Sequence, residues 1–342
     1  MDTRRASTTT LHPAAATADA PAADVVLSGD RALEALLQGR IIQLQQGLLQ
    51  RIRAARATGT PTTDGERASD REQVHQLRTG LRRLRSIAEA FPEHWHGPEP
   101  ASLRRLARQA GTVRDLDVLL EALEQQSPAI GGTEAKGLQR LIRRLQKQRA
   151  RCRRKLAKRL RHPPRHLLSP VPRPEASECP AQQAGTGPGS SPHQALPLLR
   201  ASLIRQLAVL RLHPGWGHGN RPRAHSRQEC RQHELRKAFK RLRYQLELLE
   251  ILQPELQERL HLLKQTQTSL GVLQDLVIWQ GLLKGQLKGS LRRNLPELSS
   301  RWSRLGDDAW AAWCRLRRQW LDATTGIEAW QRWLLELEPG GR

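Results

Sequence analysis

The sequence predicts an all-α protein, and three observations support this fold class. Leucines recur at three- and four-residue spacing over most of the 342-residue chain, which is the period of an amphipathic helix. Leu, Arg and Gln are the dominant residues, and all three favour helices. Aromatic residues make up only 4%, with one Tyr and two Phe, which is poor material for a β-sandwich or a β-barrel.

The leucine pattern predicts eight helices in two halves. Residues 1–29 are low-complexity Ala, Thr and Pro sequence, which predicts a disordered N-terminal segment. Residues 162–193 contain eight prolines and are expected to form a linker between a first half, 30–161, and a second half, 194–337. The helices are expected near residues 30–57, 68–91, 100–126, 134–161, 194–212, 225–252, 254–288 and 296–337, the last with a break at Gly306 or Gly326.

The chain carries a large excess of positive charge, with 57 Lys and Arg against 33 Asp and Glu and a formal net charge of +24. Such an excess predicts a polyanionic partner, because like charges repel each other in a compact fold. Nucleic acid, an anionic membrane surface and inorganic polyphosphate all satisfy this condition. Membrane insertion is not expected, because the chain contains no run of about 20 apolar residues.

The cysteine pattern favours neither a disulfide framework nor a zinc site. Cys152, Cys179, Cys230 and Cys314 are scattered and include no C-x-x-C pair, which fits a reducing, cytoplasmic compartment. An Arg-Arg pair near the N-terminus is followed by Ala, Thr and Pro rather than by an apolar core. We therefore expect no secretory or twin-arginine signal.

Two stretches of the sequence occur once in each half. Segment 75–85 returns as segment 233–243, at an offset of 158 residues. Segment 111–118 returns as segment 271–278, at an offset of 160 residues. The matched pairs keep their order, so the simplest architecture is two copies of a four-helix unit related by a pseudo-twofold axis.

On a helix, segment 75–85 places its cations on one face. At about 100° per residue, His75, Arg78, Arg82 and Arg85 fall within roughly a quarter of the circumference, beside an apolar stripe. Like charges at this spacing repel by a few tenths of a kcal/mol per pair, and no acid interrupts the stripe. We therefore favour an anion-binding face over a solvated one. The second copy repeats the stripe as His233, Arg236, Lys240 and Arg243.

Segment 134–161 adds a further row of cations, which steps of four, four, three and four residues place along one side of a helix. The matching helix of the second half is rich in tryptophan, including Trp310, Trp313 and Trp320. We expect these rings to pack in the core or at an interface rather than to stack on bases. The row consists of Arg143, Lys147, Arg151, Arg154 and Lys158.

Asp115 and Asp275 occupy matching positions in the second repeated motif. Matched acids of this kind can be catalytic, metal-binding or structural. The favoured interpretation is a structural salt bridge to a stripe arginine, which would hold the guanidinium toward a ligand.

Given these residues, the sequence resembles the CHAD family, the conserved-histidine α-helical domain. The resemblance covers about residues 30–337 and depends on the doubled motif. The first copy is His75-x-x-Arg78-x-x-x-Arg82-Arg83-Leu84-Arg85 with Arg114-Asp115-Leu116-Asp117. The second copy is His233-x-x-Arg236-x-x-x-Lys240-Arg241-Leu242-Arg243-Tyr244 with Gln274-Asp275-Leu276.

The resemblance implies two four-helix halves around a basic central cavity that binds inorganic polyphosphate, and association with polyphosphate granules in bacterial cells. The chain departs from the family pattern in its Pro-rich linker, its Trp-rich last helix and Gln274, which stands where the first copy has Arg114. Some relatives fuse this domain to a CYTH-type triphosphate tunnel enzyme, a β-barrel with an E-x-E-x-K strand. No such pattern occurs here, so we expect the binding module alone.

The leading interpretation is non-catalytic polyphosphate binding between the two cationic helices, with no metal and no cofactor. Arginines would supply forked donors, lysines point charge and histidines hydrogen bonds, while Asp115, Asp275 and Tyr244 would have structural or orienting roles. No oligomeric state is predicted. The expected binding residues are His75, Arg78, Arg82, Arg83, Arg85, His233, Arg236, Lys240, Arg241, Arg243, Arg143, Lys147, Arg151, Arg154 and Lys158.

Two other functions stay open. Nucleic-acid binding, including nonspecific binding, also explains the charge, although no helix-turn-helix, zinc-finger or RNA-binding signature is present. The twelve histidines, among them His94 and His96, suggest a phosphohydrolase or a metal-binding module. These histidines lack the accompanying carboxylates of a two-metal phosphatase and are expected in loops or at the surface.

Overall fold

The computed structural model describes residues 20–57, 63–163, 195–217, 219–249 and 256–337, and within these ranges it contains α-helices and short 3₁₀ turns but no strand. The predicted all-α class is confirmed. The first half contains α1 (Ala20–Ala57), α2 (Asp64–Ala90), α3 (Pro100–Gln126) and α4 (Gly132–Arg161). The second half contains α5 (Leu196–Arg211), α6 (Arg227–Leu249), α7 (Gln257–Lys284), α8 (Leu291–Asn294), α9 (Pro296–Leu321) and α10 (Ile327–Glu336).

The helix boundaries differ from the predicted ones at two places near the N-terminus. Helix α1 begins at Ala20, whereas the predicted helix begins at residue 30. Alanine has the highest helix propensity, and a proline such as Pro21 is tolerated in a first turn. Helix α2 begins at Asp64 because Thr63 and Glu66 form a capping box. Residues 1–19 and 164–194, which hold most of the predicted linker, lie outside the described ranges.

The last predicted helix breaks at Gly326 and not at Gly306. The Asp322 carboxylate accepts hydrogen bonds from the backbone N–H groups of Thr324 and Thr325, both at 2.9 Å, and so ends α9. A Cβ at Gly326 would collide with the backbone of the preceding helix, which explains the glycine there. Gly306 lies inside α9, where the Arg221 guanidinium packs directly against it.

The helices of each half pack in chain order around their own bundle. Helix α1 contacts α2, α2 contacts α3, α3 contacts α4, and α4 returns to α1. In the second half α5, α6, α7 and α9 follow the same order, and α10 closes on α5. Across the halves, α1 contacts α5, α2 contacts α6 and α3 contacts α7. Each of these pairs joins matching helices of the two copies, which a twofold relation allows; the axis itself stays a prediction.

The two halves share their hydrophobic cores. The larger core includes Leu81 of α2 and Phe239 of α6, each fully buried. The smaller core joins the C-terminal parts of α3 and α7 to α4 and α9. In the larger core the Phe239 and Trp320 rings lie 5.0 Å apart, and Trp313 is 1% exposed. These tryptophans are core residues, as the sequence predicts. No helix in the described ranges combines the length and the apolar character needed to cross a bilayer.

Buried ion pairs fasten α2, α3 and α4 to one another. Arg149 of α4 reaches Asp117 of α3 at 2.8 Å and Asp70 of α2 at 2.6 Å. Arg153, one turn later, reaches Asp70 at 2.8 Å. Both carboxylates are almost completely buried, at 1% exposure or less. Because α2 and α3 carry the two repeated motifs of the first half, this network fixes the motifs relative to each other.

Substituting Arg149 by Ala leaves Asp117 buried without its cation, so we expect a loss of about 3–5 kcal/mol in the free energy of unfolding. Urea denaturation followed by circular dichroism measures it. Arg151→Ala on the same helix is the matched control, because Arg151 is exposed and its removal should change stability by no more than about 0.5 kcal/mol. Equal losses in the two variants would contradict a structural role for the buried pairs.

Candidate functional site

The two cationic helices bring three arginines and one lysine together. Helices α2 and α6 contact each other, and the charges of Arg82 and Arg78 on α2 act on Lys240 of α6. Burial, followed by the positive charge of Arg236 and of the two α2 arginines, lowers the pKa of Lys240 to about 5. We call Arg78, Arg82, Arg236 and Lys240 the cationic cluster.

The two repeated acids lie beside the cationic cluster. Asp115 accepts a hydrogen bond from Arg78, with 2.8 Å between Nη1 and Oδ1, so the salt bridge predicted for this acid is present. Burial raises the pKa of Asp275, with Arg236 acting against that shift and the charge of Asp115 adding to it. The Nε atom of Arg236 is buried and has no hydrogen-bond acceptor among the described residues. In the first copy Arg78 and Asp115 form an ion pair. In the second copy Nε of Arg236 has no hydrogen-bond partner among the described residues.

Glycines of the second repeated motif form the surface on which the cluster arginines rest. A Cβ built on Gly111 of α3 would lie 3.7 Å from the Arg78 guanidinium carbon. A Cβ built on Gly271 of α7 would lie 3.6 Å from Nη2 of Arg236. These are ordinary van der Waals distances, so the guanidinium groups pack directly on the two helices. The two halves thus place matching arginines against matching glycines.

The two motif histidines lie one turn before the cluster arginines. Burial, followed by the charge of Arg114, lowers the pKa of His75. Burial, followed by Lys237 and Arg236, lowers the pKa of His233, whose ring also has a hydrogen bond with Gln274. The departure at Gln274 therefore replaces a cation next to the histidine by a neutral hydrogen-bonding group. Both histidines are neutral at pH 7 in the free protein.

Several predicted binding residues are engaged elsewhere. Arg83 pairs with Glu247 of α6 at 3.1 Å, and Arg243 lies 3.7 Å from the same carboxylate. Arg85 pairs with Glu89 at 3.1 Å. The charge of Arg241 acts on His213, in the loop before α6. Tyr244 is buried, and its ring centroid lies 5.0 Å from the Arg243 guanidinium carbon. Arg83, Arg85 and Arg243 thus have carboxylate partners.

The predicted row on α4 is a separate feature. All five of its cations are exposed, whereas the charges that act on Lys240 come from α2, α6 and α7. We call these five residues the exposed row. The buried cations of α4 are Arg149 and Arg153. Sequence reasoning missed both, although they continue the three- and four-residue spacing of Leu145 and Leu156, which is the spacing of core positions.

The histidines that suggested a metal site do not belong to a group of three or more metal-ligating side chains in the described residues. His96 is 3.2 Å from Glu34 of α1. In the part of the chain that the structure describes, no three His, Cys, Asp or Glu side chains are grouped so as to hold a metal ion.

The sequence and the fold both match known CHAD domains. The family model of the CHAD domain matches residues 46–284, well over half of the chain. The fold is similar to the crystal structure of the CHAD domain from the plant Ricinus communis, with a TM-score of 0.53 and 22% identity, over 90% of this chain and 93% of that chain. A comparison with curated proteins returned no match. The chain, with its doubled histidine motif and all-α fold, therefore belongs to the CHAD family.

Proposed function

We propose that this protein binds inorganic polyphosphate, a linear polyanion, at the cationic cluster, and that it does so without catalysis. The single observation that carries the proposal is the state of Lys240, whose pKa is lowered to about 5 by burial and by three arginines. Cations held close together at a helix contact repel each other, and this repulsion destabilises the contact. A bound chain of phosphates supplies the missing negative charge.

The chemistry of the cluster suits phosphoryl oxygens. Arg78, Arg82 and Arg236 offer planar forks of N–H donors, and Lys240 offers a compact charge once it is protonated. His75 and His233 lie beside the cluster and can add further donors in their protonated form. Asp115 holds Arg78 in place through its 2.8 Å hydrogen bond. The predicted structural role of this acid is part of the proposal.

The outer cations extend the proposed surface. A polymer longer than the cationic cluster would leave the α2–α6 contact and meet further positive charge, and the exposed row on α4 offers five such residues. Their contribution is expected to be electrostatic and salt-sensitive, because exposed cations act mainly by counterion release. In the cell we propose a cytoplasmic protein associated with polyphosphate granules.

Nucleic-acid binding is the second candidate, and the exposed row is the observation that favours it. The row presents charge to the solvent along one helix side, and the net charge of the chain is +24. Such a surface binds any polyanion that reaches it. The two candidate functions use different sites. Polyphosphate binding is proposed at the cationic cluster, whereas duplex DNA binding would use exposed cations.

Removing two cluster cations should weaken polyphosphate binding by roughly 100-fold, because each lost cation removes a charge-assisted contact. The variants are Arg78→Ala/Arg82→Ala and Arg236→Ala/Lys240→Ala, measured by gel shift and titration calorimetry. Arg104→Ala/Arg108→Ala on α3 is the matched control for the Arg78/Arg82 variant, since it removes the same two charges from exposed positions and should weaken binding by less than about tenfold.

Equal losses in the cluster and control variants would contradict a specific site. Duplex DNA serves as competitor in the same assay. If DNA displaces polyphosphate from the wild-type protein at equal phosphate concentration, the nucleic-acid candidate replaces the proposed one.

Polyphosphate binding should take up protons at pH 7. Lys240, with its pKa at about 5, is neutral in the free protein, and the lowered pKa values of His75 and His233 keep these rings neutral as well. Nearby phosphates favour the charged form of all three groups and raise their pKa values. Affinity should therefore rise as the pH falls from about 8 to about 6.

Calorimetry in two buffers of different ionisation enthalpy measures this proton uptake. Lys240→Met should reduce the number of protons taken up, whereas Lys237→Met, an exposed lysine on the same helix, should not. Flat affinity over this pH range, with no proton uptake, would contradict the proposed roles of Lys240 and of the histidines.

A further inference from the structure

A cavity of about 320 Å³ lies in the second half of the chain, next to the cationic cluster. Helices α6, α7 and α9 and the segment 221–224 surround it. His233 and Arg236 form part of its wall. Other wall residues, including Arg221 and Trp302, lie outside the repeated motifs. The cavity is therefore not explained by the duplicated motif alone.

Three residues of the cavity wall carry buried nitrogen atoms without a hydrogen-bond partner in the described part of the chain. These atoms are Nδ1 of His233, Nε of Arg236 and Nε1 of Trp302. The arginine and the tryptophan nitrogens can only donate, so their missing partner is an acceptor. Trp302 is 2% exposed, and unpaired donors at such positions are unfavourable unless a ligand or water satisfies them.

The charge of the cavity wall also favours an anion. Arg221 and Arg223 line it together with Arg236, and Glu229 is the acid among its wall residues. Arg221 is held in position by a 2.9 Å hydrogen bond to Asp307. Its guanidinium packs against Gly306, where a Cβ would displace it.

Part of the remaining wall is apolar. Leu270, Leu273, Leu276 and Val277 of α7 line the cavity, together with the uncharged polar residues Gln232, Gln274, Gln280, Ser299 and Ser303. A bare phosphate would leave the apolar side chains without contact, whereas an apolar group would bury their surface and gain free energy. The volume of about 320 Å³ is within the lower range of small-molecule sites.

We propose that this cavity binds a small organic anion, a phosphate or carboxylate group attached to an apolar body. The anionic group accepts hydrogen bonds from Arg236 and Trp302 and is neutralised by Arg221. The apolar body packs on the leucines of α7. His233 and Arg236 also belong to the proposed polyphosphate surface, so, if that proposed function holds, the small ligand and the polymer compete for them.

Titration calorimetry with phenyl phosphate, benzoate and orthophosphate tests the proposal on the full chain. We expect phenyl phosphate or benzoate to bind one per chain and at least roughly tenfold more tightly than orthophosphate, because only they bury an apolar group. The tighter of the two identifies the anionic group as phosphate or carboxylate. Orthophosphate binding as tightly as both, or no binding of either organic anion, would overturn the proposal.

Two variants connect the binding to the cavity. Trp302→Phe keeps an aromatic ring but removes the N–H donor. It should reduce the affinity for the tighter-binding organic anion by roughly three- to tenfold. Gly306→Ala displaces Arg221 and should also reduce the affinity for this organic anion. Trp310→Phe on the same helix is the control, because Trp310 packs against the larger core. Equal affinity in Trp302→Phe, Gly306→Ala and wild type would also overturn the proposal.

The same protein samples are titrated with polyphosphate. Trp302→Phe should leave polyphosphate affinity unchanged, because Trp302 is outside the cationic cluster. A protein that binds polyphosphate but no organic anion refutes the cavity site alone. A protein that binds the organic anion but no polyphosphate refutes the proposed function alone.

Discussion

Half-buried like charges are held close together between α2 and α6, and the other parts of the fold must offset their repulsion. Lys240 is charged in the unfolded chain, where its ordinary pKa is 10.5, and neutral in the folded protein, where its pKa is lowered to about 5. Between those values the unfolded chain binds more protons, so this residue reduces stability increasingly as the pH falls. A fold that keeps such a contact needs strong packing elsewhere. The shared cores and the buried Asp70–Arg149–Asp117 ion pairs provide it.

The same architecture explains why the cations meet. Matching helices contact each other across the halves, so the α2 stripe and the α6 stripe approach each other. Arg78 packs on a glycine of α3 and Arg236 on a glycine of α7. One duplicated sequence therefore produces a concentration of charge that neither half holds alone. The halves differ where Gln274 replaces the counterpart of Arg114, and it is in the second half that the cavity occurs.

Much of this arrangement can be predicted from the sequence, because a repeat and a helical period specify which residues share a face. Spacing predicts two cationic stripes, and the four cluster residues belong to them. The Glu89 and Glu247 partners also lie four residues after Arg85 and Arg243, so two of the neutralised cations were recognisable as local pairs. The contacts of Arg83 with Glu247 and of Arg221 with Gly306 could not be recognised in the sequence, because each joins segments far apart in the chain. Helix α1 begins early because alanine propensity outweighs a low-complexity composition.

We propose that a polyanion balances the positive charge of the cationic cluster. The most direct measurement is the pKa of the Lys240 side chain, followed by NMR with isotope-labelled lysine in the free protein and with polyphosphate bound. We expect a value at about 5 in the free protein and, with the polymer, a value above 7, because adjacent phosphates favour the ammonium form. An ordinary pKa in the free protein, or a value that polyphosphate does not change, would contradict the account.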